Sequence, residues 1–279
     1  MKSFEDKVAA ITGAGSGIGR ALAMALGAQG CHLALSDVNE AGLEETLRQT
    51  AGLGVRVTSQ LVDVADREGV YAWADQVASE HGKVNLIFNN AGVAVASTVE
   101  KVSYADFEWL MGVNFWGVVY GTKAFLPHLK ASGEGHVINI SSVFGLAGMP
   151  SQSAYNAAKF AVRGFTESLR QELDMLGYGV SATSVHPGGI KTGIAKAARM
   201  NDSISDLGLG AADAATRAKF EDAFITTPEK AAESILNGVQ ADQRRILVGP
   251  DARVYDWLVR LLPTAYQRIA VGYMRYTAK

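Results

Sequence analysis

The chain has 279 residues, 48% of them hydrophobic, and a formal net charge of -2. That length suffices for one large α/β domain with a substantial core, and residues 1-279 contain no linker, internal repeat or low-complexity tract that would divide them. The near-neutral charge excludes a nucleic-acid surface, a lone Cys31 excludes an internal disulfide, and five scattered histidines offer no metal-binding spacing.

In chain order, Met1 to Lys7 lacks the apolar core of a signal peptide, which predicts a cytoplasmic protein. Val8 to Thr12 is a short apolar run, and Gly13-Ala14-Gly15-Ser16-Gly17-Ile18-Gly19 leads from it into helical periodicity over 17 to 30. A buried strand turning through glycines into a helix gathers unpaired N–H groups and the positive helix end at one spot, where a pyrophosphate fits. A plain tight connection would also use glycine, and the spacing departs from GxGxxG. Leu33 to Asp37 reads as the second strand. A carboxylate ending it accepts hydrogen bonds from ribose hydroxyls and repels a 2′-phosphate. No Arg or Lys follows Asp37, and Ser16 rather than a basic residue precedes Gly17, so NAD is expected over NADP. The rival use of Asp37 or Asn39 is to cap the next helix.

Further strands are predicted at Val55 to Val62, Val84 to Asn89, His136 to Ser141, Val180 to His186 and Ile246 to Gly249, with helices at 39–52, 66–81, 103–131, 153–176 and 228–239. The helix over 103–131 is expected to break near Gly112, and Asn114 lies in it, where Asn is mildly unfavourable. The alternation implies a Rossmann-type doubly wound α/β fold, with a seven-stranded parallel sheet and helices on both faces. Thr12, Asp37, Asp63, Asn89, Asn90, Ser141, Ser142 and His186-Pro187-Gly188 then fall at carboxyl ends of strands, the rim where such sheets bind ligands.

Tyr155-Asn156-Ala157-Ala158-Lys159 puts a phenol and an ammonium four residues apart, on one helical face. A nearby Lys⁺ favours the phenolate and draws the Tyr155 pKa down from about 10, as a general acid/base requires. An isolated YxxxK would read as a core Tyr beside a solvated Lys.

Together, Thr12-Gly13-x-x-x-Gly17-x-Gly19, Asp63-Val64, Asn89-Asn90-Ala91-Gly92, Asn114, Ser142, Tyr155-x-x-x-Lys159 and Pro187-Gly188 resemble, in order and spacing, the classical short-chain dehydrogenase/reductases over about residues 4 to 190. The resemblance implies hydride transfer between a secondary alcohol and its ketone, with Tyr155 as acid/base, Lys159 as its electrostatic partner and ribose anchor, and Ser142 on the substrate oxygen. Asn114 would interrupt its helix and link Lys159 to solvent through a water. Asp63 and Val64 would meet adenine, Asn90, Ala91 and Gly92 would lie along the cofactor, and Pro187, Gly188, Ile190 and Thr192 would border the nicotinamide. A catalytically inactive dinucleotide-binding regulator and an NADP-dependent ketoreductase are the alternatives.

Residues 193–227 form a long insertion that in this family is a substrate lid. Its apolar content from Ala195 to Ile225, Phe220 included, together with Phe144, Leu146 and Met149, suggests a lipophilic alcohol or ketone. Residues 250–279 depart from the family ending. From 244 to 279 seven Lys or Arg face two Asp, with Trp257, Leu261, Tyr266, Ile269 and Tyr273 interspersed, giving a basic amphipathic extension. Packing on the body or on a partner subunit is expected ahead of a lid or a peripheral membrane contact. A homo-oligomer is expected, a dimer or a tetramer.

Overall fold

The computed structural model describes residues 1–222 and 224–277, with the backbone alone at residues 219, 220, 273, 276 and 277. The side chains of Phe220 and Tyr273 therefore lie outside the described part. Seven strands, β1 (Val8–Thr12), β2 (His32–Asp37), β3 (Val57–Leu61), β4 (Leu86–Asn89), β6 (Gly135–Ile140), β7 (Val180–Pro187) and β9 (Arg245–Val248), form one parallel sheet. Their order is β3-β2-β1-β4-β6-β7-β9. The order reverses between β1 and β4, which opens a crevice at the carboxyl ends of those strands.

Side-chain alternation along a strand sends neighbours to opposite faces, so β1 supplies both cores. Ala9 and Ile11 face α1 (Gly17–Gly27) and α8 (Pro228–Gln240), packing with Leu22, Leu26, Ile235 and Leu236. Val8 and Ala10 face α3 (Arg67–His81), α5 (Gly117–Ala131) and α6 (Ser153–Leu176), packing with Trp73, Phe125 and Leu173. α2 (Glu40–Thr50) covers β2 and β3 on the α1 side. The edge strand β3 is shorter than the predicted 55–62, its five residues Val57 to Leu61 all pairing with β2.

The predicted helix over 103–131 consists of α4 (Tyr104–Met111), a π-helical turn over Gly112–Trp116, and α5. The widened turn is the interruption expected around Asn114. A separate two-stranded sheet, which the sequence pattern did not announce, pairs β5 (Val95–Ala96) with β8 (Arg199–Met200). Two residues per strand are too few for any periodicity. β8 therefore ties the insertion to the body, ahead of α7 (Ala214–Asp222). In the extension, α9 (Pro250–Leu261) packs on β9 and on the turn Val143–Gly145, and α10 (Ala265–Thr277) follows with Tyr266 buried. Among the described residues no helix is long and apolar enough to cross a membrane.

Candidate active site

β1 ends at Thr12, whose hydroxyl accepts the backbone N–H groups of Asn90 and Ala91, each at 3.0 Å, while the Asn90 amide donates to the Thr12 carbonyl at 2.9 Å. These bonds lock β1 to the segment after β4 at the point where the crevice opens. Gly13 and Gly17 hold φ values of 66° and 51°, which residues with a Cβ rarely adopt. A Cβ at Gly17 would stand 2.9 Å from the Thr192 methyl, so the loop after β7 reaches over the glycine turn.

The start of α1 is open. Ser16 at its N-cap makes no side-chain cap bond, whereas Asn39, Asp66, Ser103 and Thr227 each cap the helix they precede. The free N–H groups and the helix dipole at Ser16, Gly17, Ile18 and Gly19 form a donor set for a phosphate. Asp37 stands beside them, with Oδ2 accepting from Gly15 N at 2.8 Å and Oδ1 from Asn39 N at 2.9 Å. Asn39, not Asp37, caps α2, so the Asp37 carboxylate keeps spare lone pairs at the rim. An uncapped helix start beside a rim carboxylate fits a dinucleotide, phosphates on the amides and ribose on Asp37.

Asp63 is exposed and accepts from Ala65 N at 2.9 Å. Val64 is buried against α5, where a Cβ on Gly117 would lie 2.8 Å from its Cγ2.

Tyr155, Ser142 and Lys159 converge at the ends of β6 and β7. The phenol neighbours the Ser142 side chain, and the Tyr155 ring meets Phe144 edge-on at 6.2 Å. The Lys159 ammonium lies 5.6 Å from the Tyr155 ring centre and donates to the Ile140 carbonyl at 2.9 Å. Burial pushes the phenol up to about 12, partly offset by Ser142, and pushes the Lys159 ammonium down to about 8. The expected lowering of the Tyr155 pKa by Lys159 is thus not met in the free chain, because desolvation prevails and the ammonium serves Ile140.

Asn114 is fully buried in the π-helical turn and clamps the backbone of Val93, accepting from its N–H and donating to its carbonyl, both at 2.8 Å. Gly92 lies between this amide and Lys159: a Cβ there would be 3.3 Å from Asn114 Oδ1 and 3.7 Å from Lys159 Nζ. Ala91 and Gly92 thus border the crevice. Ile190 is buried, bridged to Thr226, and Thr192 closes on Gly17.

Two further residues hold this constellation, Asn156, to which the sequence reading gave no role, and His186, which it placed only at the rim. Asn156, inside the Tyr155-to-Lys159 segment, donates to the carbonyls of Phe144 at 2.7 Å and Ala147 at 2.9 Å and accepts from Met149 N at 3.0 Å. Its signal was an Asn inside a helix beside an active Tyr. His186 reaches the Ser142 carbonyl at 2.9 Å, a contact that no spacing announces.

The family model for "short chain dehydrogenase" matches residues 7–203. A Mycobacterium tuberculosis protein designated SadH, an oxidoreductase by name, is 51% identical, covering 99% of this chain and 98% of its own. The C alpha-dehydrogenase of Sphingobium sp. is 35% identical over 91% of this chain and 84% of its own. A short chain dehydrogenase/reductase from Burkholderia phymatum, solved in complex with NAD, superposes with a TM-score of 0.83 at 31% identity, covering 98% of this chain and 97% of that one.

Proposed function

The chain belongs to the short-chain dehydrogenase family of oxidoreductases, and from that premise we propose that it is an NAD-dependent enzyme interconverting a secondary alcohol and its ketone. The observation that carries the reading is the phenol of Tyr155, neighboured by the Ser142 side chain and the Lys159 ammonium, on the rim that also presents the uncapped start of α1. Bound NAD supplies the hydride acceptor and, when oxidised, a positive ring charge.

The chain's own groups do the rest. The free amides of Ser16 to Gly19, on the turn that Gly13 shapes, hold the pyrophosphate, Asp37 the adenosine ribose, and Asp63 the edge of the base. Pro187, Gly188, Ile190 and Thr192 border the nicotinamide. Ser142 positions the substrate oxygen, and Tyr155 takes the hydroxyl proton during oxidation or returns it during reduction. Lys159 stabilises the phenolate by charge, and Asn114 keeps the ammonium's surroundings in place. The NAD complex of the Burkholderia phymatum relative supports the cofactor reading, as does the acidic end of β2.

A lipophilic substrate is favoured by Phe144 beside the phenol and by the insertion over 193–227, read as a lid. Leu146 adds nothing to that inference, since it is buried in the body. We also propose a cytoplasmic homo-oligomer joined through the helical segment 103–131 and α6, where Trp116 of the π-helical turn and Phe160 of α6 stand exposed at 47% and 41%. A monomer by light scattering at micromolar concentration would remove that idea.

The enzymatic reading is tested by screening secondary alcohols with NAD⁺ and NADP⁺ and then comparing Tyr155→Phe. Turnover is expected to fall at least about 100-fold, the weight of a lost general acid/base, with NADH affinity unchanged. A variant that keeps a tenth of the activity would overturn the role of Tyr155.

A further inference from the structure

We infer that the C-terminal extension is part of the active-site frame, with Asp251 and Tyr266 as positioning residues for the two loops on either side of the reacting groups. The inference rests on the enzymatic reading above, but its evidence is separate. Asp251 lies in the first turn of α9, and its Oδ2 accepts from Gly189 N at 2.6 Å. Gly189 belongs to the loop that carries Ile190 and Thr192 over the glycine turn. The carbonyl of Gly189 in turn accepts from Ile225 N and Thr226 N, each at 3.2 Å, so both of its backbone polar groups are engaged.

The space around this carboxylate is closed. A Cβ on Gly188 would overlap Asp251, and one on Gly249 would lie 2.5 Å from Asp251 Oδ1. Gly188 follows Pro187, the last residue of β7, and its lack of a side chain is here accounted for by a carboxylate from the extension. Oδ1 is buried without a hydrogen-bond partner among the described residues, so the carboxylate's one protein bond in this space is the one to Gly189 N.

Tyr266 does the same on the opposite side. Its ring is buried, and its hydroxyl oxygen accepts from Gly148 N at 3.0 Å. Gly148 lies in the segment after Ser142 that Asn156 grips from α6, and α9 packs on the first turn of that segment. One anchor therefore bears on the loop facing the cofactor and the other on the wall facing the substrate. Loss of a buried hydrogen bond that fixes a binding loop weakens the corresponding affinity by up to about tenfold, more when the acceptor is charged.

The expected signature is a split. Asp251→Ala should weaken NADH binding, read by nucleotide fluorescence, by about tenfold, while Asp251→Asn, which keeps an acceptor, should restore most of it. Tyr266→Phe should raise substrate KM severalfold with NADH affinity unchanged. Circular dichroism and hydrogen exchange on the same proteins should show intact folds, with faster exchange confined to the amide of Gly189 in the first case and Gly148 in the second. The inference is overturned if both variants leave NADH affinity, KM and those amides unchanged, or if the two parameters move together in proportion to lost stability. Should no alcohol be turned over by the wild-type chain, the enzymatic reading fails, whereas the NADH and exchange measurements still decide the roles of the two anchors.

Discussion

The ring of His186 lies between Ser184 and Ser142, with Nε2 3.0 Å from the Ser184 hydroxyl and Nδ1 2.9 Å from the Ser142 carbonyl. A carbonyl can only accept, so Nδ1 carries the proton and the neutral ring takes the Ser184 hydroxyl on Nε2. The backbone that presents the Ser142 hydroxyl to Tyr155 is thus held by a histidine of the adjacent strand.

Burial pushes His186 down to about 4, and His136, also buried and bonded to Thr183, down to about 4. Both folded values lie below the unfolded value near 6.5, so between pH 4 and 6.5 the unfolded chain binds more protons. Stability is therefore complete above pH 6.5 and is lost as the pH falls through that window, by up to about 3 kcal/mol per histidine. Thermal melts from pH 7.5 to 4.5 should show this slope, and His186→Asn, which can keep a donor near the Nδ1 position, should reduce it. An unchanged slope in the variant would assign the acid loss elsewhere.

Asp37 accepts from Gly15 and Asn39 yet faces the rim. Asp37→Ala should weaken NADH binding and narrow the preference over NADPH by about tenfold or more, since both the ribose contact and the repulsion of a 2′-phosphate disappear. Fluorescence titration with the two reduced nucleotides reads this directly. If the ratio of the two affinities stays constant, Asp37 is not the selector.

Arg199 fastens the insertion. It pairs with Asp106 at 2.8 Å, stacks over the Trp109 ring at 3.5 Å, and lies in the β8 strand that pairs with β5. The ion pair is half exposed and contributes little, but the stacked contact adds about 0.5–1 kcal/mol. Arg199→Ala is expected to change the melting temperature by only a few degrees and to speed protease cleavage within 193–227. Cleavage at the wild-type rate would show that the β5–β8 pair and the bond from Thr98 N to Ser203 hold the insertion without Arg199.

Gly121 of α5 crosses β4 where Asn89 donates to Asn139 at 2.8 Å and to Thr122 at 3.1 Å. A Cβ on Gly121 would overlap Asn89 Oδ1, and Asn89 cannot swing away without breaking that network. Gly121→Ala should cost about 1–3 kcal/mol through overpacking, although alanine is the better helix former. Urea unfolding measures it, and a stabilised variant would mean that α5 can shift outward freely.

What the chain alone determined was whatever local order encodes. The alternation of short apolar runs with helical periods located all seven strands of the main sheet, and α6 falls on the predicted 153–176. The strand-to-helix glycine turn, Asp37 and the Tyr155-to-Lys159 spacing could be read for the same reason, since their chemistry depends on neighbours along one element. The β5–β8 pair, the grip of Asn156 on the Ser142 loop, His186 under Ser142, and the reach of Asp251 and Tyr266 into the two loops were decided by tertiary structure. These contacts join residues brought together only when the sheet and its flanking helices pack. The sign of the Tyr155 shift belongs with them, because a four-residue spacing places the ammonium nearby, but burial and the Ile140 carbonyl set how much of its charge the phenol feels.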